Sequence, residues 1–392
     1  VKRIATTIFL LLGLLNLLVA QPRDPSLLKK KVVLPDIPGF KTLKCDFHIH
    51  TAFSDGTVWP VFRVDEALRD GLDVISLTEH TDYERFPEDI KRDINRSYDI
   101  ATSYAKGKDI LIIKGAEISP RVPPYHNNAL FLKDMNLPYN YMKVSKTDFE
   151  MKPDYTTAQL MEPFTAAVKQ GAFIFYNHPG NMPAWTVRDT AVFTSFHRTL
   201  FERKMLSGIE VVNSGLYNLT AHRLAMKYNL TMLCNTDEHG DLSPRYADTH
   251  RPMTLVFAKD RSEAAIKEAL IARRTALYFD NYLIARQDEA EAFFKAAVEA
   301  KVSRGFRKDE PALILSLTNN SDIPYNIQLT SKYVQDVFPL GQLVIPAHKE
   351  VKVLFRAMWS YPEIAEFKMV VRNILVTADS SLETSFSLKT QP

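Results

Sequence analysis

Between residues 41 and 282 the hydrophobic positions fall into short runs, at 43–49, 73–79, 110–116, 128–132, 172–177, 208–213, 231–236 and 253–258, which predict strands. Apolar residues recur at helical spacing between them, over 60–70, 88–106, 157–170, 219–228 and 262–272. Strand followed by helix, repeated over this length, predicts parallel βα units and a barrel-like or doubly wound α/β architecture. A connecting helix is expected over 286–304. The pattern then changes to short strands separated by turn residues such as Asn319-Asn320-Ser321-Asp322, which predicts a small β-sandwich over 305–392.

The first 20 residues follow neither pattern. Lys2 and Arg3 precede an apolar run, IFLLLGLLNLLVA, over 8–20, and Ala20 is a small residue ahead of Gln21. This reads as a signal peptide over 1–20 and implies an exported, periplasmic or secreted protein; an uncleaved anchor is the alternative. Four prolines mark 21–40 as a linker, so the first domain is expected over 41–285.

Composition adds exclusions. With 46% hydrophobic and 24% charged residues the chain is a folded globular protein. Its net charge of +3 includes Lys2 and Arg3, so neither a nucleic-acid partner nor membrane attachment beyond the signal segment is expected. Two cysteines, Cys45 and Cys234, are too few for a disulfide framework, and no CxxC pair forms a thiolate zinc site.

The candidate chemistry sits at strand ends. His48 and His50 in Asp46-Phe47-His48-Ile49-His50 share one face of a strand and can grip one ion, with Asp55 in the loop beyond. In Thr78-Glu79-His80, His80 is the better ligand and Glu79 the second choice. The strand 110–116 ends in Gly115-Ala116-Glu117, and a carboxylate such as Glu117 can bridge two ions. His126 follows nine residues later. The strand 172–177 delivers His178 ahead of Pro179-Gly180, and the strand 231–236 delivers Asp237 and His239 on a shared face. Each motif after the first has an ordinary structural reading. In a parallel barrel, however, all of them converge at the C-terminal mouth, where such folds hold their chemistry.

This series resembles the polymerase-and-histidinol-phosphatase (PHP) family over roughly residues 43–282. The family's HxH motif appears as His48 and His50, its next ligand as Asp55, and its DH-type motif as Glu79-His80 with Glu for the commoner Asp. Its Gly-x-Glu appears as Gly115-Ala116-Glu117, its HP motif as His178-Pro179, and its DxH motif as Asp237 and His239. His126 matches the remaining histidine. The resemblance implies a distorted (β/α)7 barrel, TIM-like, with a small C-terminal β-sandwich after it. It also implies three divalent metal ions: the first on His48, His50, Glu117 and Asp237, the second on Glu117, His126 and His178, and the third on Asp55, His80 and His239. An all-nitrogen-and-oxygen set suits Zn, Mn or Fe. The expected activity is hydrolysis of a small phosphate ester, with a metal-bridging hydroxide beside Glu117 as nucleophile. Similarity to exported bacterial members favours phosphodiesters; a histidinol-phosphatase-like phosphomonoesterase and a non-catalytic metal or phosphate binder are the alternatives.

Several residues carry weaker expectations. Arg245 is a candidate phosphate ligand, with a solvated loop arginine as the plainer reading. His197, His222, His250 and His348 read as structural. Asn177 and Asn235 are expected to hydrogen-bond ligands, and Asp46 either does so or is a buried core residue. Cys45 and Cys234 are expected to face away from the pore, near enough on neighbouring strands for a disulfide to merit testing.

Overall fold

The computed structural model describes residues 32–120, 122–138, 155–179, 191–335, 338–356 and 360–392; the signal peptide expected over 1–20 and the expected linker up to residue 31 lie outside the described residues. In chain order the first unit comprises β1 (Lys41–Ile49), α1 (Pro60–Arg69), β2 (Val74–His80), α2 (Asn95–Ala105), β3 (Leu111–Ile118), β4 (Asn127–Leu130), α3 (Thr157–Lys169), β5 (Phe173–Tyr176), α4 (Ser195–Glu202), β6 (Gly208–Asn213), β7 (Leu216–Tyr217), α5 (Leu219–Lys227) and β8 (Thr231–Asn235). It continues with β9 (Met253–Ala258), α6 (Glu263–Ile271), β10 (Thr275–Phe279), β11 (Tyr282–Ala285) and α7 (Gln287–Ala297). Local chemistry sets the helix starts. Pro60 opens α1, Thr156 and Gln159 form a reciprocal cap on α3, and the Asn218 side chain accepts from the Ala221 amide at α5.

Strands β1, β2, β3, β4, β5, β6 and β8 pair in that order. The ring closes where β8 runs back to β1: the Asp237 amide donates to the His48 carbonyl at 2.8 Å and the His50 amide to the Glu238 carbonyl at 3.0 Å. The barrel is distorted in two ways. Strand β4 is antiparallel to both neighbours, against the expectation of uniformly parallel units. The segment from Ile118 to Asn127 is too short for a crossover, which needs a dozen residues or more, so the chain turns back as a hairpin. The outer edge of β1 is also shared. Its first half, Lys41 to Cys45, pairs antiparallel with β9, and only its end meets β8.

The barrel interior is layered. Leu43, Cys45, Phe47, Val74, Ile113, Leu130, Phe173, Phe175 and Leu233 form one apolar cluster, to which Ile266, Ala269 and Leu270 of α6 add a plug at the strand starts. Ser76, Thr78, Asn128, Asn177, Glu210 and Asn235 are buried polar residues on or next to the barrel strands. Cys45 therefore faces the interior, contrary to the expectation that both cysteines point outward. The register of β1 against β2 advances three residues from Asp46 to Ile49 but two from Ile75 to Leu77. That bulge flips the facing between Phe47 and His48. Cys234 packs in the outer cluster with Met232 and Val211. Both thiols are free and buried on opposite sides of the wall.

The C-terminal unit holds β12 (Val298–Arg307), β13 (Glu310–Asn319), β14 (Tyr325–Thr330), β15 (Val334–Gln335), β16 (Gln342–Ile345), β17 (Glu350–Arg356), β18 (Ile364–Thr377) and β19 (Ser380–Lys389). One sheet orders β12-β13-β17-β15; the other orders β16-β14-β18-β19. The helix expected over 286–304 stops at Ala297, and β12 starts at once. Glu299, Ala300 and Lys301 are good helix formers, but a ten-residue ladder with β13 and burial of Val298 and Val302 override that propensity. Similarly, α2 begins at Asn95, not 88, with the Ile94 amide held by the Asn136 side chain. The second sheet is not separate from the barrel. Leu283 and Ile284 of β11 pair in parallel with Ile374 and Leu375 of β18, so one hydrogen-bonded sheet runs through both units.

Candidate metal centre

All nine residues expected as ligands meet at the barrel mouth. The bulge in β1 turns His48 and His50 inward, β2 ends in His80, β3 carries Glu117 as its penultimate residue, and the short turn before β4 supplies His126. His178 and Asp237 follow β5 and β8 with φ of 22° and 54°, conformations an L-residue adopts only under constraint from its surroundings. Four groups of donor atoms lie within 4.8 Å: His50, Asp55, His80 and His239; His48, His50 and Glu117; His48, His178 and Asp237; His80, Glu117 and His126. Glu117 is the hub, as a bridging carboxylate requires. His48, His50 and His80 each fall in two groups, so the division among ions is less sharp than the family resemblance implies.

Some ligand pairs are at hydrogen-bond distance, His80 Nδ1 to Glu117 Oε2 at 2.9 Å and His48 Nε2 to Asp237 Oδ1 at 3.1 Å, but others are spaced as donors around a cation. His48 Nε2 to Glu117 Oε1 and His50 Nε2 to Glu117 Oε2 are both 3.5 Å, and His178 Nε2 to Glu117 Oε1 is 3.6 Å. His80 Nε2 to Asp55 Oδ2 is 3.5 Å and His239 Nε2 to Asp55 Oδ1 is 3.2 Å. Ligands about 2.1 Å from a tetrahedral zinc ion lie about 3.4 Å apart. His48 Nε2, His50 Nε2, Asp55 Oδ1 and Glu117 Oε2 are buried and make no well-aligned hydrogen bond, although an oppositely charged group faces each at 3.1, 3.2, 3.2 and 2.9 Å; a cation between such groups would satisfy both. The residues present therefore fit a cluster of divalent ions. His48, His50 and Glu117 form a fully buried floor, while the side chains of His178, Asp237, Asp55 and His239 are 17%, 15%, 22% and 38% exposed. Access is from that rim.

The electrostatics follow from this crowding. Burial alone would push Glu117 and Asp237 up, but the facing imidazoles, His80 for Glu117 and His48 for Asp237, hold both well below the usual carboxylate range. Burial likewise lowers His48 and His80. The carboxylates opposite them, Asp237 for His48 and Glu117 for His80, win and hold both rings well above their ordinary value. His50 has the opposite fate: burial and the neighbouring His239 and His80 drive it down to about 3.

A second tier positions the ligands. Asn177 Nδ2 donates to Glu117 Oε1 at 2.7 Å, and Asn235 Oδ1 accepts from the Phe47 amide at 2.9 Å. Glu79 points out of the barrel, where its carboxylate accepts from Thr51 Oγ1 at 2.6 Å and Ser54 Oγ at 2.7 Å; it anchors the loop carrying Asp55 and belongs to none of the four groups. Asp46 also faces outward, paired with buried Arg251 at 2.5 Å and with Thr236 Oγ1 at 2.6 Å. Arg245 sits 3.1 Å from Glu238 with its side chain 53% exposed. His197 caps α4 from within, His222 Nδ1 meets the Tyr217 hydroxyl, His250 stacks on Tyr278, and His348 pairs with Asp322.

Two residues escape the sequence reading. Glu210 of β6 is buried against His48 Nδ1 at 2.9 Å. Its only signal is an acidic residue inside the apolar run Gly-Ile-Glu-Val-Val, which implies a buried charge with a partner. Arg63 of α1 is fully buried and donates to the carbonyls of His50, Glu238 and Gly240 at 2.9, 2.9 and 2.7 Å. It ties the end of β1 to the loop that carries Asp237 and His239.

Comparisons with known proteins place this geometry. A family model described as an Ig-like domain matches residues 298–387. No curated protein matches. A solved structure from Bacteroides vulgatus, described as a two-domain protein containing a predicted PHP-like metal-dependent phosphoesterase, is 36% identical with a TM-score of 0.77; the match covers 92% of this chain and 99% of that one. A metal-dependent phosphoesterase structure from Bifidobacterium adolescentis is 16% identical, with a TM-score of 0.40 and coverage of 58% and 96%. A histidinol phosphate phosphatase from Lactococcus lactis, solved with zinc, L-histidinol and phosphate, is 17% identical, with a TM-score of 0.29 and coverage of 59% and 93%. Neither of these two is similar enough to bear on the site. The two-domain relative matches along nearly its whole length, and the chain belongs to the PHP family of metal-dependent phosphoesterases, hydrolases of phosphoric ester bonds.

Proposed function

We propose that this chain is an exported phosphoesterase that hydrolyses small organic phosphodiesters, with phosphomonoesters as poorer substrates. The observation that carries the reading is the convergence of nine imidazoles and carboxylates at one barrel mouth, with four buried donor atoms that make no well-aligned hydrogen bond. His48, His50, Glu117 and Asp237 would hold one ion, Glu117, His126 and His178 a second, and Asp55, His80 and His239 a third. When bound, clustered Zn, Mn or Fe ions lower the pKa of a coordinated water to supply the nucleophile and neutralise charge on the phosphoryl oxygens. The protein's own part is to fix the donors on rigid strand ends and to leave the Asp237 and His178 rim open to the ester. The run at 8–20 supports export, and similarity to exported family members favours diesters over monoesters. Arg245, half-exposed beside Glu238, is a secondary phosphate contact.

The test is elemental analysis of the purified protein with turnover of bis- and mono-p-nitrophenyl phosphate in Mn²⁺ or Zn²⁺. The expected result is bound metal, faster diester cleavage, and a loss of at least about 10³-fold in kcat/KM for Asp237→Asn and His48→Ala. Preferential cleavage of the monoester would shift the assignment to a phosphatase. Bound metal with no turnover of any phosphate ester would leave a binding protein.

A further inference from the structure

Glu210 contacts two candidate ligands from different strands at once. Its Oε1 accepts from His48 Nδ1 and from Asn235 Nδ2, both at 2.9 Å. Its Oε2 accepts from the His178 backbone amide at 2.6 Å and from Asn213 Nδ2 at 2.9 Å. All four donors converge on one carboxylate that is 1% exposed. A register shift in β6 against β8, between Glu210 and Val212, aims this side chain inward while Val211 and Val212 pack outside. His178, with its φ of 22°, needs an external tether to stay in that conformation.

We propose that Glu210 is a positioning residue of the metal centre: one carboxylate fixes the proton of His48 on Nδ1 and pins the backbone of His178, so that His48 presents Nε2 to the ion it shares with Asp237 and His178 presents Nε2 to the neighbouring ion on Glu117. The proposal rests on the reading of the mouth as a metal centre. A ligand histidine that donates its far nitrogen to a carboxylate is held in one tautomer and one orientation and becomes a better ligand. Here the same carboxylate also sets the second histidine through its main chain. The His48, His178 and Asp237 group should therefore depend on Glu210, whereas the His50, Asp55, His80 and His239 group, which Glu210 does not touch, should not.

Glu210→Gln preserves volume but sets an amide NH₂ against two of the four donors whichever way it turns. Ion affinities are measured by zinc competition against a chromogenic chelator, with Co²⁺ absorption spectra as a second readout. The expected result is a 10–100-fold loss of affinity for the ions that involve His48 and His178, altered Co²⁺ spectra for those ions, and unchanged binding of the ion that involves His239. Glu210→Asp, which keeps the charge but withdraws it, should fall between. If Glu210→Gln fails to fold, Asn213→Ala removes the partner that shares Oε2 with the His178 amide and should weaken the ion that involves His178 several-fold. Wild-type affinity in Glu210→Gln, or in Asn213→Ala where the former does not fold, overturns the proposal. So does a variant that lowers the melting temperature of the ion-free protein without changing ion affinity. Failure of the wild-type protein to bind any ion would instead overturn the proposed function.

Discussion

Arg63 offers a measurable link between fold and site. Its guanidinium makes three bonds to carbonyls and a fourth, at 2.8 Å, to Glu66, with both side chains buried. Arg63→Met keeps most of the volume but strands those carbonyls and half of a buried ion pair. Breaking such a pair from one side costs about 3–5 kcal/mol. Glu66 retains the Leu242 amide at 2.9 Å and Arg251 at 3.9 Å, which places the cost at the low end, about 3 kcal/mol. An unfolding entropy near 2.1 cal/mol/K per residue gives roughly 0.8 kcal/mol/K for 392 residues, so the melting temperature should fall by about 4 °C. Arg63→Lys should recover less than half of this, because one ammonium cannot reach three carbonyls in a fixed fork. Differential scanning calorimetry at neutral pH, ions present, reads both variants. A shift below about 1 °C for Arg63→Met, or full recovery with lysine, would refute the tie between β1 and the Asp237 loop.

Three further outcomes are expected. Stripped of ions, His48 and His80 should contribute less to stability at pH 8 than at pH 5.5: their folded pKa values lie above the unfolded value near 6.5, so that contribution is full below that pH and fades as pH rises through the folded values, while His50, His197 and His222, lowered in the fold, act in the opposite sense. Asp237 and Glu117, depressed in the fold, contribute only above the unfolded carboxylate pKa and lose that contribution at lower pH still. Zinc should then raise the melting temperature more at pH 8 than at pH 5.5, and equal shifts would count against the facing-charge account. Cys45 and Cys234, whose thiols burial pushes well up, should resist an aromatic disulfide reagent in the native protein and both react once it unfolds; a titre below two thiols on unfolding would mean the bond exists. His197 and His222, both lowered by burial to about 4, should show proton NMR shifts that stay flat through pH 6.5 and move only near 4.

The ligands were legible because the period of a strand fixes which residues share a face, and because strand ends deliver them to one mouth. His48 with His50 and Asp237 with His239 needed no more than that. The same rule misplaced Asp46 and Cys45, since one extra residue in β1 reverses the facing and nothing in Lys-Cys-Asp-Phe-His marks the bulge. The direction of β4 was readable in principle from the length of its connection. The end of α7 was not, because Glu-Ala-Lys favours a helix until a distant strand, β13, claims the backbone. Glu210 and Arg63 lay hidden for a related reason. Their roles depend on partners more than 150 residues away in the chain, so no local spacing announces them.

The shared sheet between β11 and β18 has a consequence for how the molecule can be handled and how it could have arisen. Cutting the chain after the barrel would bare the flank of β11, a row of unmatched amides and carbonyls ready to seize any extended peptide. The C-terminal unit is thus less a passenger than a permanent seal on the enzyme's raw edge. The pair should melt, refold and be inherited as a single body.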